Sequence, residues 1–172
     1  MNKTSKGRLL TNVYLVRGDE VLLGMKKQKH KKSFGVGKWN GFGGKIESGE
    51  TSEQAAIREC QEECNVTPIK PNKVAKISFI DEASGINDNV DVYLCDKWDG
   101  EPQETDEMIP KWFKKDSLPF ENMWSDDVHW MKEMFAGKKF YAKVTMSGAG
   151  ALGEGKDKTE DIEFNFVDEI ID

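Results

Sequence analysis

The chain has 172 residues, with 25 basic and 31 acidic side chains, a formal charge of -6 and 37% hydrophobic residues. That length and hydrophobic share suit one compact domain over residues 1–172. The acidic balance argues against nonspecific binding to long nucleic acid, where phosphate neutralisation dominates affinity; a small phosphate ligand held through cations stays open.

The amino terminus, MNKTSKGRLL, lacks the apolar core of a secretory leader. No apolar run approaches spanning length. Cys60, Cys64 and Cys95 are an odd, sparse set that fits a reducing compartment. A cytoplasmic monomer away from membranes is expected.

In chain order, Leu9 to Val16 and Glu20 to Met25 read as a hairpin around Arg17-Gly18-Asp19. A basic segment follows from Lys26 to Gly37, whose lysines are ordinarily solvated. Lys38 to Glu50 reads as a glycine-rich loop. The spacing predicts a helix from Thr51 to Cys64, with Thr51 and Gln54 at capping-box distance and Ala56, Cys60 and Cys64 as a buried stripe. Asn65 is a plausible stop, since Asn tolerates the left-handed region.

Val74 to Ile80 and Val90 to Cys95 read as strands separated by the loop DEASGINDN, and Ile109 to Phe113 as a short strand. Ser125 is placed to cap a second helix, Asp126 to Ala136, stopped by Gly137. Trp130, Met131, Met134 and Phe135 form its core face. Lys138 to Met146 and Glu160 to Val167 complete the strands. The pattern is α/β, a mixed β-sheet sandwiched between helices.

The chemistry concentrates in GKIESGETSEQAAIRECQEECNV, Gly44 to Val66. Glu59 and Glu63 stand four residues apart on one helical face, with Glu62 close by. Such carboxylates repel one another, and oxygen ligands of this kind suit magnesium, with manganese as the alternative. A plain solvated acidic face is the competing explanation. Arg58 has ion-pair spacing to Glu62.

Gly44, Glu50, Arg58, Glu59, Glu62 and Glu63 fall at the fixed spacings of the Nudix box, with Cys60 and Val66 in its apolar places. The chain therefore resembles the Nudix hydrolases. Asn65 stands where that family has glycine, a substitution the left-handed turn accommodates. The resemblance implies that Glu59, Glu62 and Glu63 bind Mg2+ with a backbone carbonyl near Gly43 or Gly44. It implies that Glu63 or Glu62 orients or deprotonates the attacking water. Glu50 and Arg58 would hold loop and helix in register, and Glu107 would approach the metals from a later loop. Lys45 would add a charge to the phosphates; a solvated loop lysine is the plainer reading.

The likeness extends through VLLGMKK, GKWNGFGGK, TDEMIPKWF and PFENMWSDD to the Nudix enzymes that hydrolyse oxidised purine nucleoside triphosphates such as 8-oxo-dGTP. It implies a purine pocket of Asn40, Trp124, Asp126 and Asp127, lined by Thr11, Lys26, Phe34, Phe79 and Val90. A Trp face stacks on a purine, and Asn both donates and accepts. Adjacent half-buried aspartates resist ionising together, so one keeps its proton and the pair can donate and accept. Helix-terminal acids are the ordinary alternative. The 26–34 segment is longer than in those enzymes, and the tail after Phe140 diverges from theirs.

The rival functions are a Nudix enzyme for ADP-ribose or capped RNA ends, and a non-catalytic nucleotide-binding module. Three further signals are set aside. Gly148, Gly150 and Gly153 spell GxGxxG, but a hairpin turn explains them better than a dinucleotide site. Cys60 and Cys64 read as core thiols. Ser125, Asp127 and His129 carry triad residue types without triad geometry.

Overall fold

Alternation along the first strand fixes two faces of one sheet. In β1 (Arg8–Arg17), Val13 and Leu15 enter one hydrophobic cluster and Tyr14 enters another, as the period of two along a strand requires. A computed structural model describes residues 7–28, 35–148 and 157–172. β1 turns at Gly18, whose φ is 52°, into β2 (Glu20–Lys26). Next come β3 (Trp39–Asn40), β4 (Phe42–Lys45), α1 (Ser52–Cys64), β5 (Thr67–Pro68), β6 (Asn72–Asp81) and β7 (Ile86–Cys95). The chain closes with β8 (Trp98–Asp99), β9 (Met108–Lys114), α2 (Asp127–Phe135), β10 (Lys139–Ser147) and β11 (Lys158–Val167).

The main sheet runs β11-β10-β6-β7-β1-β2-β3, with β4 also pairing β1 and β9 pairing β2. β1 lies parallel to β7 and antiparallel to β2 and β4, and β10 lies parallel to β6. The sheet is therefore mixed. β5 and β8 form a separate two-stranded ribbon.

The two faces of the sheet carry different helices. Ala56, Cys60 and Cys64 of α1 pack with Val13, Leu15 and Phe42. Trp130, Met131 and Met134 of α2 pack with Tyr14, Ile77 and Phe140. The larger of these, such as Leu15, Phe42, Ile77 and Met131, each stabilise the fold by about 1.5–3 kcal/mol on burial. The expected α/β sandwich, a mixed sheet between helices, is the observed fold. Among the described residues no helix is long and apolar enough to cross a membrane.

α1 starts and stops as its sequence predicts. Thr51 Oγ1 accepts from Gln54 N at 3.1 Å, and Gln54 Oε1 accepts from Thr51 N at 2.9 Å. Asn65 ends it at φ 60°, in the left-handed region. α2 corrects the expected Ser125 cap. Asp126 occupies the cap position without a capping side-chain bond, while the Ser125 backbone N–H and hydroxyl are drawn to Asp157 and Thr159.

Two loops are shorter than expected. The glycine-rich 38–50 segment contains β3 and β4, because β1 and β2 offer it partners. The polar stretch before Val90 is a turn only to Gly85; Ile86 to Asn89 pair with Ser78 to Asp81. Phe34, and Gly150 and Gly153 of the glycine-rich turn, lie outside the described residues.

Candidate active site

The 44–66 segment folds around one arginine. Arg58 Nε and Nη2 donate to the two Glu50 oxygens at 3.1 and 2.6 Å, a two-pronged pair. Its Nη2 also donates to Lys45 O at 3.1 Å, and its Nη1 reaches Glu59 at 3.0 Å and Glu62 at 3.3 Å. Arg58 thus ties the loop to α1 and steadies two of the three acids. The guanidinium holds the Glu50 carboxyl below the usual carboxylate range.

Glu63 is the buried member of the acidic set, 4% exposed. Its Oε1 accepts from Gly43 N at 2.8 Å. Burial first, then the charges of Glu59 and Glu107, push its carboxyl well above its ordinary value, while the Gly43 amide and the Lys26 charge pull it down. Burial likewise raises Glu59, with Glu62 and Glu107 adding to the effect and Arg58 opposing it. Glu62 is exposed and Glu107 half-buried.

Thr105 positions the Glu107 loop. Its hydroxyl donates to Glu63 O at 2.9 Å and accepts from Glu107 N at 3.2 Å. Close backbone approach is required at Gly43, where a Cβ would overlap the Thr11 carbonyl, and at Gly44, where it would stand 2.5 Å from a Glu59 oxygen.

Among the described residues no three acid, His or Cys side chains form a ready-made metal cage. The donors nevertheless fit a hard divalent cation. All are carboxylate oxygens, they repel one another, and the Glu63 carboxyl is buried with a backbone amide as its hydrogen-bond donor.

From Glu63, Gly43 and Gly44 a cavity of about 320 Å³ runs to the α2 side of the sheet. Its far end is lined by Asn40, Trp124, Asp126 and Asp127. Thr11, Lys26, Phe79 and Val90 line it as well. Lys45 is exposed and outside the lining. Glu59, Glu62 and Glu107 also lie outside the lining.

The two aspartates are 1% and 3% exposed. Asp126 Oδ2 accepts from Trp130 Nε1 at 2.6 Å. Burial raises Asp126 to about 6 against that hydrogen bond. Burial and the neighbouring Asp126 charge push Asp127 well above its ordinary value. Asp126 Oδ1, Asp127 Oδ2 and Thr11 Oγ1 are buried polar atoms that make no hydrogen bond among the described residues.

The sequence did not single out Asn12 and Lys38, which line the cavity, or their partners Tyr14 and Asp157, which do not. Asn12 and Tyr14 bond Asn40 from β1, and Lys38 and Asp157 form an ion pair beside Trp124. Asn12 carried a usable signal, a polar residue inside an apolar strand run. Lys38 adjoins the Trp39-Asn40 stretch. Nothing local marks Asp157.

Residues 8–134 match the NUDIX domain, and the chain belongs to that family. It is 44% identical over 158 residues to the oxidized purine nucleoside triphosphate hydrolase of Danio rerio, covering 90% of this chain and 97% of that one. It is 42% identical over 136 residues to the protein of the same name from Mus musculus, covering 79% and 85%. The crystal structure of the MutT protein from Bacillus halodurans shares the fold at a TM-score of 0.75 and 21% identity, covering 92% of this chain and 97% of that one.

Proposed function

We propose that this chain hydrolyses oxidised purine (deoxy)nucleoside triphosphates, 8-oxo-dGTP and 2-oxo-dATP among them, to the monophosphate and pyrophosphate. It would act as a single-domain, monomeric, cytoplasmic enzyme that clears damaged nucleotides from the pool. The observation that carries this reading is one cavity joining Glu63 to the Asn40, Trp124, Asp126 and Asp127 cluster. A triphosphate with a purine needs both ends at once.

Glu59, Glu62, Glu63 and Glu107, with backbone near Gly43 and Gly44, would hold Mg2+, or Mn2+ in its place. When bound, the metal neutralises phosphoryl oxygens and lowers the pKa of water. Glu63, buried and held by the Gly43 amide, would accept the proton of the attacking water, the part a positioned carboxylate plays in general base catalysis; Glu62 is the alternative. Water adds to the α- or β-phosphorus and gives its proton to the carboxylate, the P–O bond of the bridge between those two phosphorus atoms breaks, and the monophosphate and pyrophosphate separate. Arg58 and Glu50 keep the acids in place. Lys26, which lines the cavity and whose charge reaches Glu63, would suit the polyphosphate.

At the base end, Trp124 offers a ring face, Asn40 an amide, and Asp126 with Asp127 one ionised and one protonated carboxyl. Hydrolysis rates for 8-oxo-dGTP, dGTP and ADP-ribose with magnesium test the reading. ADP-ribose as the clearly preferred substrate would overturn it. Glu63→Gln should lower kcat at least about a hundredfold, the scale of general base catalysis; unchanged pyrophosphate release would remove Glu63 from the chemistry.

A further inference from the structure

One buried ion pair outside the residues assigned above links the β10–β11 hairpin to the base end of the cavity. The Asp157 side chain is 3% exposed and that of Lys38 13%, with Nζ to Oδ1 at 3.2 Å. Removing two charges from water is costly, and the attraction gained seldom offsets it in stability alone. Here the pair's remaining bonding capacity goes to the wall that carries Trp124. Asp157 Oδ2 accepts from Ser125 N at 2.8 Å. Lys38 Nζ donates to Met123 O at 3.4 Å and stands 4.8 Å from the centre of the Trp124 ring. The Ser125 and Thr159 hydroxyls share a 2.7 Å hydrogen bond, a second tie to the same hairpin.

The residues so held, Met123 to Ser125, lead directly into Asp126 and Asp127. Lys38, at the other end of the pair, lies two residues before Asn40. One ion pair therefore connects the two walls between which a base would lie. Hydrogen bonds weaken steeply with misplacement, and a shift of about 1 Å in a bound group can cost about a hundredfold in rate.

We propose that Asp157 and Lys38 are positioning residues for base selection, fixing the distance from the Asn40 wall to the Trp124–Asp127 wall. This rests on the oxidised-purine reading above. The C-terminal hairpin is then part of the specificity apparatus, although it lies beyond the residues that match the family domain.

The test is kcat and KM for 8-oxo-dGTP and dGTP with magnesium in wild type, Asp157→Asn, Lys38→Met and Lys38→Arg. Asp157→Asn and Lys38→Met should raise KM for 8-oxo-dGTP about tenfold, with kcat falling less than about threefold. The ratio of kcat/KM for 8-oxo-dGTP over dGTP should fall about tenfold in both, a measure of base selection alone. Lys38→Arg can still pair with Asp157 and should restore the ratio to within about threefold of wild type. A purely structural role would reduce the active fraction, lowering kcat equally for both substrates and leaving KM and the ratio as in wild type; that result overturns the proposal.

Lys38→Met with Asp157→Leu removes both charges and should fold even where a single variant does not. A wild-type ratio in this double variant also overturns the proposal, and a lost ratio supports it. Should wild type prefer a different nucleotide, the substrate reading fails. The same variants, scored on that nucleotide against dGTP, still decide the role of Asp157.

Discussion

The Tyr14 hydroxyl donates to Asn40 Oδ1 at 2.9 Å. Asn12 Nδ2 donates to the same oxygen at 3.0 Å, and the Gly41 backbone N–H at 2.8 Å. Three donors on one oxygen fix the orientation of the carboxamide, because exchanging O and N would set donor against donor. Asn40 therefore has its NH2 group left to offer a base, and the atom opposite must accept. Tyr14→Phe removes one of the three donors. It should cost about 1 kcal/mol of stability and raise KM for 8-oxo-dGTP severalfold. Thermal unfolding and steady-state kinetics check it, and an unaltered KM would dismiss the orienting role.

Arg58 predicts non-additivity. Arg58→Lys keeps the charge but loses the two-pronged contact with Glu50. We expect kcat to fall about tenfold or more, and Glu50→Gln to fall similarly. The double variant should be little worse than either, since both act through one contact. Multiplied effects would show that the two residues work separately.

Gly44 separates folding from chemistry. A Cβ there would stand 2.5 Å from a Glu59 oxygen, which is a side chain able to move. Gly44→Ala should fold, lose at least about tenfold in activity and need more magnesium for half-maximal rate, since displaced ligands cost metal affinity. Gly43→Ala meets the Thr11 backbone instead, so it should disturb the β1–β4 pairing and lower the melting temperature.

Asp126 predicts opposite trends for binding and stability. Burial raises Asp126 to about 6, so it carries a charge at neutral pH, and burial with that charge raises Asp127 as well. Below about pH 6 Asp126 takes up a proton and its charged acceptor is lost, so affinity for the oxidised purine nucleoside monophosphate should weaken as pH falls through that value. For stability the folded value lies above the unfolded 3.8, so the folded state binds the extra proton. That contribution is fully present below about pH 4 and is lost as pH rises through about 6, some ~3 kcal/mol. Asp126→Asn keeps an acceptor for Trp130. It should raise the melting temperature near pH 7.5, change it little near pH 4, and flatten the binding profile.

Much of this was legible in residues close together in sequence. The Thr51 cap, the Asn65 stop and the Arg58–Glu62 pair are local, so spacing alone reveals them, while the tie from Arg58 to Glu50 was implied by the family resemblance. The sandwich followed from apolar periodicity. β3 and β4 were not legible, since glycine-rich segments become strands only when neighbouring strands supply hydrogen-bond partners. Ser125 was misread as a cap because Asp157, 32 residues away, competes for its backbone N–H. The Lys38–Asp157 pair spans 119 positions, and no local pattern encodes it.

Parallel pairing of β1 with β7 bears on synthesis. Leu15 must wait for Cys95, and at about 5–20 residues per second that is several seconds on the ribosome. Cavity walls come from Arg8 through Met146, so the nascent chain has no nucleotide site until β10 emerges. Non-local partners of this kind also slow folding, leaving the half-made sheet as a client for chaperones.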